Sequence, residues 1–202
     1  EDAAGVMRAV RGLGLEGYTN TSYPRGLAAL IDDVNERYAV IDAGTNSIKF
    51  HVGERSIDGK WRTVVDRAEM TRLGEGLSQG GRIIEAAIER TIAAIASMVG
   101  EANQHGVRAI AAVGTAGLRI ASNGGDVVDA IRARTGIHVE VISGEEESRM
   151  AYLAAKAGLG LNRGSLVVFD TGGGSSQFTF GHDAVVDTRF SVNVGAVSYT
   201  ER

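Results

Sequence analysis

The sequence predicts an α/β chain in which a strand–turn–strand unit occurs twice. Three observations carry this. Short apolar runs alternate with stretches whose apolar residues recur at helical spacing. An Asp-x-Gly turn ends an apolar run at Asp42 and again at Asp170. The 28 glycines among 202 residues show no collagen period; they cluster as tight turns and ligand-facing loops require.

Residues 1–37 read as an N-terminal extension of unassigned role. Residues 2–10 and 27–36 suit short helices, and the stretch 18–26 between them is loop chemistry around the only proline. From Tyr38 the pattern sharpens. Tyr38-Ala-Val-Ile41 is a short apolar strand, Asp42-Ala-Gly-Thr-Asn-Ser47 interrupts it, and Ile48-Lys-Phe-His-Val52 alternates as a half-buried strand does. Ile57-Asp-Gly-Lys60 turns the chain into a strand over 61–67, so the unit opens with two or three antiparallel strands. Residues 82–99 carry Ile84, Ile88, Ile92, Ile95 and Val99 at helical spacing. Residues 107–113 read as a buried strand, 126–134 as a helix and 138–142 as a strand. Ser143 then caps a helix reaching about Ala157, with three glutamates in the first turn where the helix dipole favours them. Residues 158–164 are the linker.

Beyond the linker the opening repeats, as Leu166-Val-Val-Phe169, Asp170-Thr-Gly-Gly-Gly-Ser175 and Gln177-Phe-Thr-Phe180. At a shift of 128 residues, the separation of Asp42 and Asp170, the positions that agree include Asp42/Asp170, Gly44/Gly172, Ser47/Ser175, Phe50/Phe178 and Gly53/Gly181. Such a repeat implies two related domains, 38–158 and one opening at 159. The second runs only to Arg202, with two further strands and no helix. A full copy needs another ~100 residues, so the sequence reads as a fragment.

Composition narrows the function classes. A net charge of −4 argues against a broad nucleic-acid footprint. Without cysteine there are no disulfides and no thiolate metal sites, which fits a cytoplasmic protein. No apolar run reaches the ~18 residues of a membrane helix. Glu1, Asp2, Arg8 and Arg11 interrupt any signal-peptide core. Two motif matches fail on context. Gly12-Leu-Gly-Leu-Glu-Gly17 lacks the preceding strand and following helix of a dinucleotide site. Gly76-Leu-Ser-Gln-Gly80 lacks the preceding strand of a nucleophile elbow. The four histidines, His51, His105, His138 and His182, show no ligand spacing.

An aspartate at a strand end, followed by small residues with outward amides, makes a phosphate cradle. Its carboxylate can hold a hydrated Mg²⁺ that neutralises phosphate oxygens. A single Asp-x-Gly is as well explained by a hairpin turn; two, each within strand–turn–strand, favour the cradle.

Paired loops of this kind resemble those of the acetate kinase, sugar kinase, chaperone and actin superfamily. Within it the chain resembles the exopolyphosphatase / guanosine pentaphosphate phosphatase family over residues 38–202. Arg72-Leu-Gly-Glu-Gly-Leu77, Gly114-Thr-Ala-Gly-Leu-Arg119 with Asn123, Val141-Ile-Ser-Gly-Glu-Glu-Glu-Ser-Arg149 and Val194-Gly-Ala-Val-Ser-Tyr-Thr-Glu201 carry that narrower match. The resemblance implies a ribonuclease-H-like, actin-like ATPase fold, with one complete domain and the first strands of a second. It implies Mg²⁺-dependent release of terminal phosphate from inorganic polyphosphate or guanosine pentaphosphate, and a homodimer is one assembly it allows. Glu147 aligns with the glutamate that activates water, and Arg119 with an arginine on the phosphate chain. Asp42, Asp170 and Gln177 fall at the metal. Gly44, Thr45, Asn46 and Ser47, with Gly172, Gly173, Gly174 and Ser175, fall on the phosphates. Three positions depart from the pattern: Gln177 replaces a glutamate, Ser198 an arginine and Asn193 a proline. Two other functions therefore stand beside the hydrolase. One is an ATP-dependent kinase of the same superfamily; the other is a non-catalytic module that binds phosphate chains.

Overall fold

The computed structural model describes residues 36–56, 58–161, 163–172, 176–192 and 194. The helices expected before residue 36, the loop residues Gly173, Gly174 and Ser175, Asn193, Ser198 and the strand expected beyond Val194 lie outside the described residues. Strand β1 (Glu36–Ala43) turns at Asp42–Ser47 into β2 (Ser47–Arg55), and β3 (Trp61–Met70) adds to it antiparallel. Strands β4 (Ala109–Gly114) and β5 (Val139–Val141) follow parallel to β1, giving the order β3-β2-β1-β4-β5. Parallel neighbours need crossovers, and helices supply them. Helix α2 (Glu85–Gln104) links β3 to β4, and α4 (Gly124–Thr135) links β4 to β5.

The core lies between this sheet and those two helices. Ile41, Ile48, Phe50 and Val52 of the hairpin meet Ile92, Ile95 and Met98 of α2 and Val127 and Ile131 of α4. Burial of each such side chain contributes roughly 1.5–3 kcal/mol. Helix α2 begins later and ends later than the isoleucine spacing suggests. Ile84 is still extended, and the buried stripe continues past Val99 through Ala102, an alanine that periodicity barely registers. Two short helices, α1 (Leu77–Gly80) and α3 (Ala116–Ile120), occupy stretches that the sequence presents as loops, since neither is long enough to show a period.

The second sheet contains β6 (Ser165–Thr171), β7 (Ser176–His182) and β8 (Val185–Val192), antiparallel and in that order. Its register repeats the first. Tyr38 faces Gly53, Ile41 faces Phe50 and Asp42 faces Lys49; Leu166 faces Gly181, Phe169 faces Phe178 and Asp170 faces Gln177. The irregularity between Val52 and Gly53 also recurs, between Phe180 and Gly181. The internal repeat thus reaches the third strand, where few residues match by identity. This is the expected ribonuclease-H-like α/β fold, a five-stranded mixed sheet followed by the opening strands of a related one.

Helix α5 (Gly144–Gly158) joins the two sheets. It leaves β5 of the first sheet and packs on the second. Its fully buried Tyr152 lies so close to Gly181 that an added Cβ would come within 2.7 Å of the Tyr152 Cζ.

Candidate active site

The first loop is held by its neighbours. The Gly44 amide donates to the carbonyls of Asp42 and Ser47, both at 3.1 Å. It is therefore committed inside the turn, which differs from the phosphate-facing amide that the sequence suggests. Gly44 serves by its size, since a Cβ there would meet the Ser47 carbonyl at 2.7 Å. Thr45 and Asn46 instead offer their carbonyls to the 72–74 loop: Gly74 donates to Thr45 at 2.8 Å and Arg72 to Asn46 at 2.9 Å. Among the described residues, the Thr45 and Asn46 amides have no backbone partner. Ser47 starts β2 and pairs with Met70.

Three consecutive glutamates open α5, and the structure gives each a separate task. Glu146 completes a capping box with Ser143, amide to hydroxyl and amide to carboxylate, both at 3.1 Å. Glu145 pairs with Arg189 of β8 at 2.9 Å and ties the helix to the second sheet. Glu147 turns to Arg119 instead. Both terminal nitrogens of Arg119 lie 3.3 Å from its Oε2. Arg119 Nη1 also donates to the Ile142 carbonyl at 2.9 Å, which anchors the guanidinium at the end of β5. Burial pushes the Glu147 carboxyl above the usual carboxylate range. Arg119 pulls it down, the nearby Asp42 carboxylate pushes it up and the Gln177 amide pulls it down, but burial prevails.

Asp42 and Asp170 occupy equivalent strand ends. Asp42 Oδ2 faces Lys49 at 3.4 Å, while its Oδ1 is buried and has no hydrogen-bond partner among the described residues. A carboxylate oxygen withheld from water without a donor is suited to a hydrated cation, which often needs only one or two carboxylates beside phosphate oxygens. Asp170 is exposed and lies across the ladder from Gln177. No hydrogen bond or ion pair joins Asp42 to Asp170 among the described residues. Asp42 lies near enough to Glu147 to raise its pKa, and Asp170 pairs in register with Gln177. Among the described residues no group of three or more His, Asp or Glu gathers as a metal cluster. Gln177, a metal position by resemblance, is buried, and its Oε1 accepts from Ser148 at 2.7 Å. Gly172 ends the described part of the second loop.

Several participants escape sequence reasoning. Gly74 and Gly117 flank Thr45 closely, and a Cβ on Gly74 would come within 2.3 Å of its methyl group. Both stand in motifs quoted above, so an unexplained glycine within a motif was the available signal. Ser148 gave none. Asn123 sits in a functional motif but is structural: its side chain bonds both the amide and the carbonyl of Ile83, at 2.9 and 3.0 Å, and fixes the entry to α2.

Comparison with known proteins follows the same line. A model of the Ppx/GppA phosphatase family matches residues 54–202. Exopolyphosphatase 2 of Mycobacterium tuberculosis is 34% identical over 175 residues, 82% of this chain and 54% of its own. Exopolyphosphatase 1 of Mycobacterium leprae is 28% identical over 160 residues, 79% of this chain and 47% of its own. The crystal structure of the Aquifex aeolicus Ppx/GppA family member superposes with a TM-score of 0.72 at 33% identity, covering 83% of this chain and 54% of that one. An exopolyphosphatase from Cytophaga hutchinsonii gives 0.77 at 26% identity, covering 83% and 53%. The chain spans about half the length of the curated relatives it matches. Among the described residues no helix is long and apolar enough to cross a membrane.

Proposed function

This chain belongs to the Ppx/GppA phosphatase family, and from that premise we propose that the protein releases terminal phosphate from inorganic polyphosphate or guanosine pentaphosphate by attack of water. One observation carries the reading. Glu147 is a partly buried carboxylate in the first turn of α5, bonded to Arg119 and near enough to Asp42 to feel its charge, with its pKa raised by burial. Such a carboxylate can take the proton of an attacking water as the oxygen bonds to phosphorus and the bridging P–O bond breaks toward the leaving chain. Arg119 has a second use. A phosphate oxygen competes with Glu147 for the guanidinium, so an arriving substrate would draw Arg119 to the phosphate and release the carboxylate to act as base. The amides of Thr45 and Asn46, and the 172–175 loop, would receive the phosphate chain. Asp42 and Asp170 would hold Mg²⁺, which when bound neutralises phosphate charge. Cytoplasmic location and a homodimer complete the proposal.

Phosphate release from each substrate tests it. Glu147→Gln should lower turnover by ~10²–10⁴-fold with KM little changed. The working base must be unprotonated, so the rate should fall on acidification at a pH above the ordinary carboxylate range. Arg119→Gln removes the cation that favours the charged carboxylate in the free enzyme, and should move the acid limb of kcat/KM to still higher pH. Phosphate-chain binding without turnover would favour the binding module. Tight ATP binding without polyphosphate hydrolysis would favour the kinase.

A further inference from the structure

We propose that Gly74 and Gly117 are positioning residues, two walls of a slot that grips the Thr45 side chain and so sets where the first loop's amides stand relative to Arg119. The proposal rests on the reading of that loop as a phosphate site. Both glycines are buried, and they come from separate stretches of the chain, one after β3 and the other on α3. A Cβ on Gly74 would lie 2.3 Å from the Thr45 methyl carbon and 3.4 Å from the Thr45 carbonyl oxygen. A Cβ on Gly117 would lie 3.2 Å from the Thr45 hydroxyl oxygen and 3.3 Å from its Cα. Methyl and hydroxyl thus face different walls. Neither glycine has a positive φ, so closeness to Thr45, and not backbone conformation, is what asks for glycine at both positions.

Both walls are anchored. Leu73, beside Gly74, is fully buried, and Arg90 of α2 donates from Nε to the Thr71 carbonyl at 2.9 Å and pairs with Glu75. Arg72 holds a left-handed φ of 49°, which a residue with a side chain keeps where its surroundings over-determine it. Leu118, beside Gly117, is buried in the core. What the slot controls follows from the peptide plane. Gly74 donates to the Thr45 carbonyl at 2.8 Å, and no described peptide is cis. In a trans peptide the carbonyl and the amide point opposite ways, so this bond aims the Asn46 N–H away from the 72–74 loop. Arg119 lies two residues beyond Gly117 on the same short helix. One β-branched side chain, stiff about χ1, therefore spaces the Asn46 donor from the arginine.

The test moves one methyl group. Gly74→Ala adds a carbon where Thr45 already has its methyl. Thr45→Ser removes that methyl and keeps the hydroxyl that faces Gly117. In the whole protein, with whichever of inorganic polyphosphate and guanosine pentaphosphate the parent hydrolyses, Gly74→Ala should raise KM by up to about 10²-fold, and KM more than kcat. Thr45→Ser in the same chain should recover most of that loss. Gly117→Ala should also raise KM, but Thr45→Ser should not relieve it, because serine keeps the Cα and hydroxyl that the new Cβ meets. Nitrogen-15 NMR reads the slot apart from turnover: the Asn46 backbone amide signal should shift in Gly74→Ala and return when Thr45→Ser is added. An unchanged KM in either folded glycine variant overturns the slot. So does a Gly74→Ala loss that Thr45→Ser leaves in place, or equal relief of Gly117→Ala. If the parent hydrolyses neither substrate, the hydrolase reading fails and the Asn46 signal alone decides the slot. If Gly74→Ala does not fold, a folded chain carrying both changes upholds the slot and an unfolded one overturns it.

Discussion

In the first hairpin Ile41 faces Phe50 and both are fully buried. In the second, 128 residues later, Phe169 faces Phe178 and Phe169 is 60% exposed. The register is the same, and so is the irregularity before the paired glycine. What differs is the covered face. Helices α2 and α4 seat on the face of β2 that carries Ile48, Phe50 and Val52. Helix α5 seats on the opposite face of β7, where Gln177 meets Ser148 and Gly181 meets Tyr152. The counterpart of the first core face is less covered among the described residues: Ser176 is buried there, but Phe178 and Phe180 are only half-buried. It shows a row of rings, with Phe169 and Phe190 at 4.6 and 4.8 Å from Phe178. One local pattern thus builds the same strands twice, and its surroundings decide whether a given side chain is core or surface.

The comparison breaks most readily at the matched phenylalanines. Phe50→Ala empties a fully buried site and should cost about 3–5 kcal/mol, read from denaturant unfolding. Phe178→Ala removes the same ring from the same register position, but on the less covered face, and should cost clearly less. Equal losses would show that the two copies bury their hairpins alike, against the exposures seen.

Much of this was legible because local physics dominates it. Alternation marked β2, the isoleucine spacing marked α2, and Ser143 followed by three glutamates marked the start of α5. The 128-residue shift predicted the paired loops, and the register confirms that repeat residue by residue. Tertiary geometry was not legible. No spacing says that α5 crosses to the second sheet, because its apolar stripe is thin and rests on one buried tyrosine. Nor does spacing reveal that Arg119 reaches a carboxylate 28 residues away, or that Ser148 meets Gln177 29 residues away. The triple glutamate shows the limit most plainly. Dipole preference explains all three equally, and only their partners separate the cap at Glu146, the tie to β8 at Glu145 and the carboxylate beside Arg119 at Glu147.

A sharper and smaller test uses the matched glycines. At Gly181 an added Cβ would lie 2.4 Å from the Val185 carbonyl in the backbone of β8 and 2.7 Å from the ring of Tyr152 on α5. Gly181→Ala should therefore cost ~1–3 kcal/mol through overpacking and loosen α5 from its sheet. At Gly53 the nearest atom is Trp61 Cε3 at 3.2 Å, on a partly exposed ring that can move aside. Gly53→Ala should be mild. Melting curves of the two variants, with Tyr152 fluorescence or exchange of the α5 amides as a local report, would show whether the strain is confined to the second copy.

The smallest expected effect again separates the sheets, this time by pH. His182, at the end of β7, approaches Asp187 of β8 at 2.7 Å, and the hydrogen bond and charge of that aspartate raise the imidazole pKa above its ordinary value. A histidine whose folded pKa is raised adds stability that is fully present below its unfolded pKa and is lost as pH rises through the folded one. The turn of the second sheet should therefore be firmest in mildly acidic solution, while Asp187 is still charged. The corresponding histidine-free turn of the first sheet, at Ser56–Lys60, should show no such dependence. Both partners are about half exposed, so the effect should be small and weakened by salt. It is measured as the difference in Tm between the parent and His182→Gln from mildly acidic to mildly alkaline pH. The gap should narrow as pH rises; a gap that is constant or widens would mean that the pair does not couple charge to the folding of this hairpin.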